Sequence, residues 1–216
     1  MTLSAQQIEE ALAAGGVSSL PASAGSRFAA YLELLLRWNA RLNLTAIRLP
    51  EEIVARHFVE CAFAAQHLPS GISTLLDFGS GAGFPGIPIA IFRPEIHVTL
   101  AESHAKKAAF LSEAVRVLEI STEVYRGRVE SMPAPRTFDC VGMRAVDKMA
   151  EAVVAARSRA DRTLALLTTA KSGPGYQELA PEFTWGDPIP LPHSLQSILL
   201  IGQRTGHNSQ TILSSI

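Results

Sequence analysis

Residues 75–90 read LLDFGSGAGFPGIPIA: an apolar run that reaches an acid, Asp77, then glycines at 79, 81, 83 and 86, then a second apolar run. A short buried strand, a glycine loop and a helix in this order constrain the fold strongly, because four glycines clear side chains from a place that something must approach closely. Two ligands suit such a loop. Gly81–Gly86 spells G-x-G-x-x-G, which can hold a dinucleotide pyrophosphate at a helix N-terminus. Against that, Pro85 removes one N–H from the turn, and Asp77 repels a phosphate where it attracts a cation. Those two residues favour S-adenosylmethionine, with its ammonium and sulfonium charges, over a nicotinamide dinucleotide. Glu102 stands 25 positions after Asp77, at the end of the next apolar run. It suits a ribose diol and so serves either ligand.

The rest of the chain supplies a frame for that loop. In the first 70 residues, Phe28, Tyr31, Leu32, Leu35, Trp38 and Leu42 recur at helical spacing, and Ile53, His57, Cys61 and Ala64 share a second stripe. Pro50 suits the first turn of that second helix, with Glu51 and Glu52 behind it. From residue 71 strands and helices alternate. STLLDF, EIHVTLAES, TEVYRG, TFDCVGMRA and RTLALLTTA read as strands, and HAKKAAFLSEAVRVLEI and DKMAEAVVAARSRA as helices. Alternation of this kind implies parallel βαβ units in a doubly wound, Rossmann-like sheet. FTWGDPIPLP and SLQSILLIGQR follow with no helix between them and read as a terminal antiparallel hairpin at the sheet edge. The expected organisation is one compact domain: a helical N-terminal extension (1–70), an α/β core (71–205) and a flexible tail (206–216).

Composition narrows the class. Hydrophobic residues make up 47% of the chain, which supports a packed core. The apolar runs are too short to span a bilayer, and the N-terminus lacks a basic segment of the signal-peptide kind. The two cysteines, Cys61 and Cys140, have neither disulfide-framework nor metal-ligand spacing. A cytoplasmic, reduced monomer is the expectation, with no membrane partner and no metal. Net charge is −1, but residues 126–171 carry nine Lys or Arg against five acids, and 37–56 carry four against two. Arg37, Arg41, Arg48, Arg126, Arg128 and Lys171 are therefore candidate phosphate contacts. Tyr31 and Trp38 read as helix core, His57 as a buried and satisfied histidine, and Cys140 as a small core residue.

Several stretches carry a resemblance. RWNARLNLTAIRLPEEIVARH (37–57), LLDFGSGAGFPGIPIAIFRPEIHVTLAES (75–103), GRVES (127–131), MRA (143–145) and Lys171 resemble the bacterial ribosomal RNA small subunit methyltransferase G family, also called glucose-inhibited division protein B. The resemblance covers nearly the whole chain. It implies a class I methyltransferase fold with a helical N-terminal extension, and S-adenosyl-L-methionine as methyl donor. The implied substrate is guanine N7 in small-subunit (16S) rRNA. Carried over position by position, it places Gly79 and Phe84 beside the methionine and adenosine, Glu102 on the ribose, Val129 and Glu130 beside the adenine, and Arg144 beside the methyl donor. There are departures. Met143 stands where the family usually has a serine, Ser172 where glycine is common, Glu60-Cys61 where Asp-Ser is usual, and Gln196-Ser197 where a basic residue often occurs.

Guanine N7 already presents a lone pair, so no general base is expected and none is assigned. The expected tools are proximity and orientation. Gly142-Met143-Arg144-Ala145 stands where enzymes that methylate exocyclic amines often carry Asn-Pro-Pro-aromatic, which argues against an adenine-N6 enzyme. For Arg144 the alternatives are a cofactor edge, guanine O6, or a surface ion pair with Asp147. Competing functions for the chain are methylation of another RNA position, a small molecule or a protein, an NAD(P)-binding oxidoreductase, and a non-catalytic RNA-binding module.

Overall fold

The computed structural model describes residues 2–206. The tail expected at 206–216 lies, from residue 207 on, outside the described residues. Four helical elements come first. α1 (Ala5–Ala14) starts in a reciprocal cap, Ser4 Oγ accepting from Gln7 N while Gln7 Oε1 accepts from Ser4 N. α2 (Ala24–Leu42) stops at Asn43, which takes a left-handed conformation (φ 47°). α3 (Pro50–Ile53) opens with proline in its first turn and runs through a wider π-helical segment, Val54–Val59, into α4 (Glu60–His67). On the expected stripe, Ile53, Cys61 and Ala64 are buried, whereas His57, inside the π segment, is only partly so.

The α/β part then runs β1 (Thr74–Phe78), α5 (Gly86–Phe92), β2 (His97–Glu102), α6 (Ala105–Leu118), β3 (Thr122–Arg126), β4 (Phe138–Arg144), α7 (Met149–Arg157), β5 (Ala160–Thr169), α8 (Gly173–Glu178), β6 (Phe183–Trp185), β7 (Ile189–Pro190) and β8 (Ser197–Arg204). The sheet order is β3-β2-β1-β4-β5-β8-β6. β1 to β5 pair in parallel, and β8 lies antiparallel between β5 and β6, with β7 also on β8. The antiparallel return is thus present, but its long strand is internal and the three-residue β6 forms the edge. The reason is apolar demand: Leu199 and Leu200 are buried on opposite faces of β8 and need cover on both. α8 was not legible as a helix because it is short and contains Gly173, Pro174 and Gly175.

Alternation along the strands separates two cores. Leu75, Ala165, Leu167 and Leu199 face one side, and Leu76, Phe78, Leu164, Leu166 and Leu200 the other. The first side is covered by α5, α6 and the N-terminal helices, so the extension and the sheet share a single hydrophobic cluster. The second side is covered by residues of α7 and the 3-10 turn Val129–Ser131. Cys140 pairs with Leu75 in the sheet centre and is fully buried; burial pushes its thiol far up, so it is an inert core residue as expected. Among the described residues no helix is long and apolar enough to cross a membrane.

One seam joins the extension to the glycine loop. Tyr31 of α2 stacks on Phe58 at 5.1 Å and 9°, and its hydroxyl donates to the carbonyl of Ala82 inside the loop. Both are buried, so the carbonyl has no water to turn to. Tyr31→Phe is expected to cost about 1–3 kcal/mol in urea unfolding, the cost of an orphaned buried acceptor. A loss under about 0.5 kcal/mol, the level of an ordinary surface substitution, would show that the seam is held by ring packing alone.

Candidate cofactor and substrate site

The glycine loop is held shut by its own backbone. Ser80 N donates to Ala101 O, Gly83 N and Phe84 N both donate to Ser80 O, and Ile87 N donates to Gly83 O. Gly81 N donates to Glu102 Oε2 at 2.9 Å and Gly86 N to Asp77 Oδ2 at 3.1 Å. These amides are already taken by protein acceptors and Pro85 has none, which leaves the loop ill-suited to cradle a pyrophosphate. Gly83, at φ +95°, lies where an added Cβ would come within 2.8 Å of the Tyr31 hydroxyl and 2.4 Å of Ile87 Cδ1.

Asp77 does not do what its charge suggested. The expectation was that it faces a cationic ligand. Its side chain is instead fully buried beneath the loop, and it is not among the residues that line the cavity described next. Desolvation pushes its carboxyl up to about 7, against the pull of the Ser80 and Gly86 hydrogen bonds. Gly86 makes this position possible: a Cβ there would stand 2.6 Å from Asp77 Oδ2. Asp77 is a strut for the loop and the start of α5.

A cavity of about 760 Å³ opens at the carboxyl ends of β1, β2 and β4, beside the reversal of strand order. Gly79, Phe84, Glu102, Val129, Glu130 and Arg144 all line it. Glu102 is nearly buried; Oε2 accepts from Gly81 N and Oε1 from His104 N (2.6 Å). Each carboxylate oxygen keeps a further lone pair, enough for two hydroxyls of a diol. Phe84 and Val129 supply apolar wall. The volume and this mixture of apolar walls with a few fixed polar groups suit a nucleoside-sized ligand.

Sequence reasoning missed the contribution of the extension. Leu44, Thr45 and His57 also line this cavity. His57 Nε2 lies 2.9 Å from Thr45 Oγ1 and its ring stacks on Phe84 at 4.5 Å, but its Nδ1 is buried without a partner. The expected satisfied histidine is therefore only half satisfied. Burial, with Arg144 nearby, lowers it to about 3, so the ring is neutral at ordinary pH. The Asn-Leu-Thr run at 43–45 was the available signal, since Asn39 Oδ1 accepts from Thr45 N and thereby fixes the threonine on which His57 rests.

Arg144 lies at the junction of extension and sheet. Its Nη2 donates to Glu60 Oε2 (2.8 Å) and to Arg56 O (2.7 Å), and its Nη1 to Cys61 Sγ (3.1 Å). Arg56 Nε holds the other Glu60 oxygen at 3.0 Å. Of the alternatives for Arg144, the surface ion pair with Asp147 is not formed; the partner is Glu60, because α4 passes the end of β4. Glu60 is buried, which raises its carboxyl, while the two arginines pull it back. A second cavity of about 390 Å³ shares Arg144, Ala145 and Val146 with the first, and is otherwise lined by Glu60 and by residues of β5, α7, α8 and the β7–β8 return. Three positions at which the chain departs from its resemblance, Glu60, Ser172 and Ser197, line this second cavity, and Cys61 touches Arg144 beside it.

The candidate phosphate contacts sort unevenly. Arg128 and Lys148 are exposed on the rim of the first cavity, and Lys107, half-buried, lines it too. Arg37 faces Glu113 at 3.8 Å, Arg126 donates to Ser112 Oγ and Arg48 to Asn43 Oδ1. Arg41 and Lys171 are exposed and line neither cavity.

The buried carboxyl under the loop gives a pH signature. Asp77 loses its proton near 3.8 in an unfolded chain and near 7 in the fold. Its contribution to stability is therefore full below the lower value and lost as pH rises through the higher one. Asp77→Asn keeps an oxygen for Gly86 N and removes the titration. In thermal melts from about pH 4 to 8 the variant is expected to gain on the wild type as pH rises, levelling off above about 7. A Tm difference independent of pH would contradict the assignment. His57 acts with the opposite sign, its contribution being lost as pH falls from 6.5 towards about 3, so it is common to both proteins and cancels in the difference.

Comparison with known proteins places this arrangement. The sequence model of a family described as rRNA small subunit methyltransferase G matches residues 25–171. The Ribosomal RNA small subunit methyltransferase G of Xanthomonas euvesicatoria pv. vesicatoria is 44% identical over 133 residues, 61% of this chain and 62% of that protein. The protein of the same name from Methylobacillus flagellatus is 44% identical over 132 residues, 61% and 63% of the two. The matched stretch is thus less than two thirds of the length of these relatives. Among solved structures, a methyltransferase from Pyrococcus furiosus superposes with TM-score 0.61 at 14% identity, over 82% of this chain and 98% of that one. A SAM dependent methyltransferase from Aquifex aeolicus gives 0.57 at 17%, over 71% and 93%. These likenesses show the fold, a methyltransferase-type α/β sheet. With the family model spanning the glycine loop, Glu102, Arg144 and much of the helical extension, the chain belongs to the rRNA small subunit methyltransferase G family.

Proposed function

We propose that the chain transfers a methyl group from S-adenosylmethionine to N7 of a guanine in small-subunit (16S) rRNA, acting as a cytoplasmic monomer. The observation that carries this reading is that the region shared with the family, residues 25–171, contains both halves of the first cavity: Thr45 and His57 of the extension, and the glycine loop with Glu102, Val129 and Arg144 of the sheet. In this reading residues 1–70 are a wall of the site and not a separate module.

The residues present fit that donor. Glu102, with lone pairs left on both oxygens, would take the ribose hydroxyls. Val129 and Glu130 would flank the adenine, and Gly79 and Phe84 the chain leading to the methionine. When bound, the donor supplies an electrophilic methyl carbon, and the N7 lone pair forms the new N–C bond as the C–S bond breaks onto sulfur, with no proton to move. The protein's part is placement. His57, neutral and stacked on Phe84, stiffens the wall without acting as a base, and Arg144 is fixed by Glu60, Arg56 and Cys61 at the edge towards the acceptor. Holding two reactants in attack geometry can supply several kcal/mol.

The test is methylation of small subunits, and of naked rRNA, from a strain lacking the modification, using labelled S-adenosylmethionine. Label at guanine N7 is expected. No label in either substrate would overturn the reading, and label in a small molecule or protein alone would support the competing one. Glu102→Gln is expected to weaken S-adenosylhomocysteine binding by about tenfold or more, as loss of a hydrogen bond to a charged group does. Unchanged affinity would remove Glu102 from the ribose.

A further inference from the structure

We infer that the second cavity receives the acceptor guanine, and that the Arg144–Glu60 pair at its shared wall selects guanine over adenine. This inference rests on the first cavity being the methyl donor's site.

Three observations carry it. The first is continuity. The two cavities share the wall Arg144-Ala145-Val146, so a base lodged in the second can present one atom to the first. The second is the order of groups along that wall. Arg144 borders both cavities, whereas Glu60 borders only the second. Along the edge of guanine the order is N7, then O6, then N1–H. A guanine whose N7 faces the first cavity therefore sets O6 at Arg144 and N1–H at Glu60. Arginine only donates and a carboxylate only accepts, so both contacts are complementary. Adenine in the same pose sets its 6-amino donors against the arginine's donors and a bare N1 against the carboxylate, and both contacts are repulsive. N7 itself stays uncapped, as transfer requires.

The third observation is spare capacity. Of the five Arg144 N–H groups, Nη2 uses two, on Glu60 and Arg56, and Nη1 uses one, on Cys61. Nε–H and one Nη1–H remain. Glu60 accepts one bond on each oxygen, leaving a lone pair on each. The rest of the cavity suits a base: Tyr176, half-buried against the core, puts an aromatic side chain in its lining, and neither the Tyr176 nor the Thr168 hydroxyl has a hydrogen-bond partner among the described residues. A guanine within folded RNA must leave its stack to enter, and enzymes of that kind read the extruded base by its Watson–Crick edge. The neighbouring Arg56 contact holds Glu60 in place while its own guanidinium is about half exposed.

The experiment separates this inference from the donor reading. Ser172→Leu fills the second cavity from its partly exposed rim, away from the first, and Tyr176→Ala removes the aromatic side chain. Both variants are expected to bind S-adenosylhomocysteine as the wild type does and to lose about tenfold or more in kcat/KM for rRNA methylation. Unchanged methylation in both would overturn the inference even if the wild type is active. A binding arm needs no turnover. In protein loaded with S-adenosylhomocysteine and carrying labelled tyrosine, the Tyr176 resonance, assigned with Tyr176→Phe, is followed by NMR. Millimolar guanosine monophosphate is expected to shift it, inosine monophosphate to shift it similarly because O6 and N1–H are kept, and adenosine monophosphate to leave it in place. Loss of the shift in Ser172→Leu would support the site. No shift with guanosine monophosphate, or an equal shift with adenosine monophosphate, would overturn it.

Discussion

The site depends on the aromatic seam between the N-terminal helices and the glycine loop. Phe28, Tyr31, Phe58 and Phe84 form a chain of rings with centroids 5.1–6.1 Å apart, and His57 closes it against Phe84. Rings at this spacing contribute packing beyond their buried area. The Tyr31 hydroxyl adds a direct hydrogen bond to the loop carbonyl of Ala82. A glycine-rich loop has little to hold it in one conformation, because glycine loses more freedom on folding than any other residue. Here the loop is ordered from three sides: by its own amides bonded to Ser80 O, by Asp77 and Glu102 on Gly86 and Gly81, and by the rings of the extension. The extension is thus a wall of the cavity and a support of the loop that borders it.

A second dependence follows at Arg144. A partly buried arginine needs acceptors, and the π segment and α4 supply them: the Arg56 carbonyl from the first, the Glu60 carboxylate and the Cys61 thiol from the second. The π-helical segment just before α4 gives this stretch a wider turn, and segments of that kind recur at functional sites. A buried ion pair of this type is weak evidence for stability, since its desolvation offsets much of its attraction. Its value lies in fixing a guanidinium in one orientation between two cavities. The same logic explains why Glu60-Cys61, a departure from the family's usual Asp-Ser, sits directly on the arginine it serves.

Much of the frame was legible in the sequence. Short apolar strands alternating with helical runs implied the parallel sheet. The six residues that the family resemblance implies for the cofactor line one cavity, and each ends or follows a strand on the carboxyl side, where ligands of such sheets bind. What was not legible concerned side-chain direction and partners across the chain. Asp77 was expected to face the ligand and is turned under the loop, because a single acid at a strand end carries no sign of which side of the sheet it takes. For Arg144 the only ion-pair partner the sequence suggests is Asp147, three residues away, whereas the fold supplies Glu60, 84 residues away. His57 was assigned to the core and reaches the cavity.

The sequence by itself therefore determined the class of fold and the position of the glycine loop at a strand end, since these follow from the alternation of apolar strands with helices and from glycine spacing. The tertiary structure alone decided that most of the loop's amides are taken by protein acceptors, that the N-terminal helices form one wall of the cavity, and that Glu60 pairs with Arg144 at the wall two cavities share. Those features arise from contacts between residues tens of positions apart, whose geometry is set only when the extension and the sheet close on a common core.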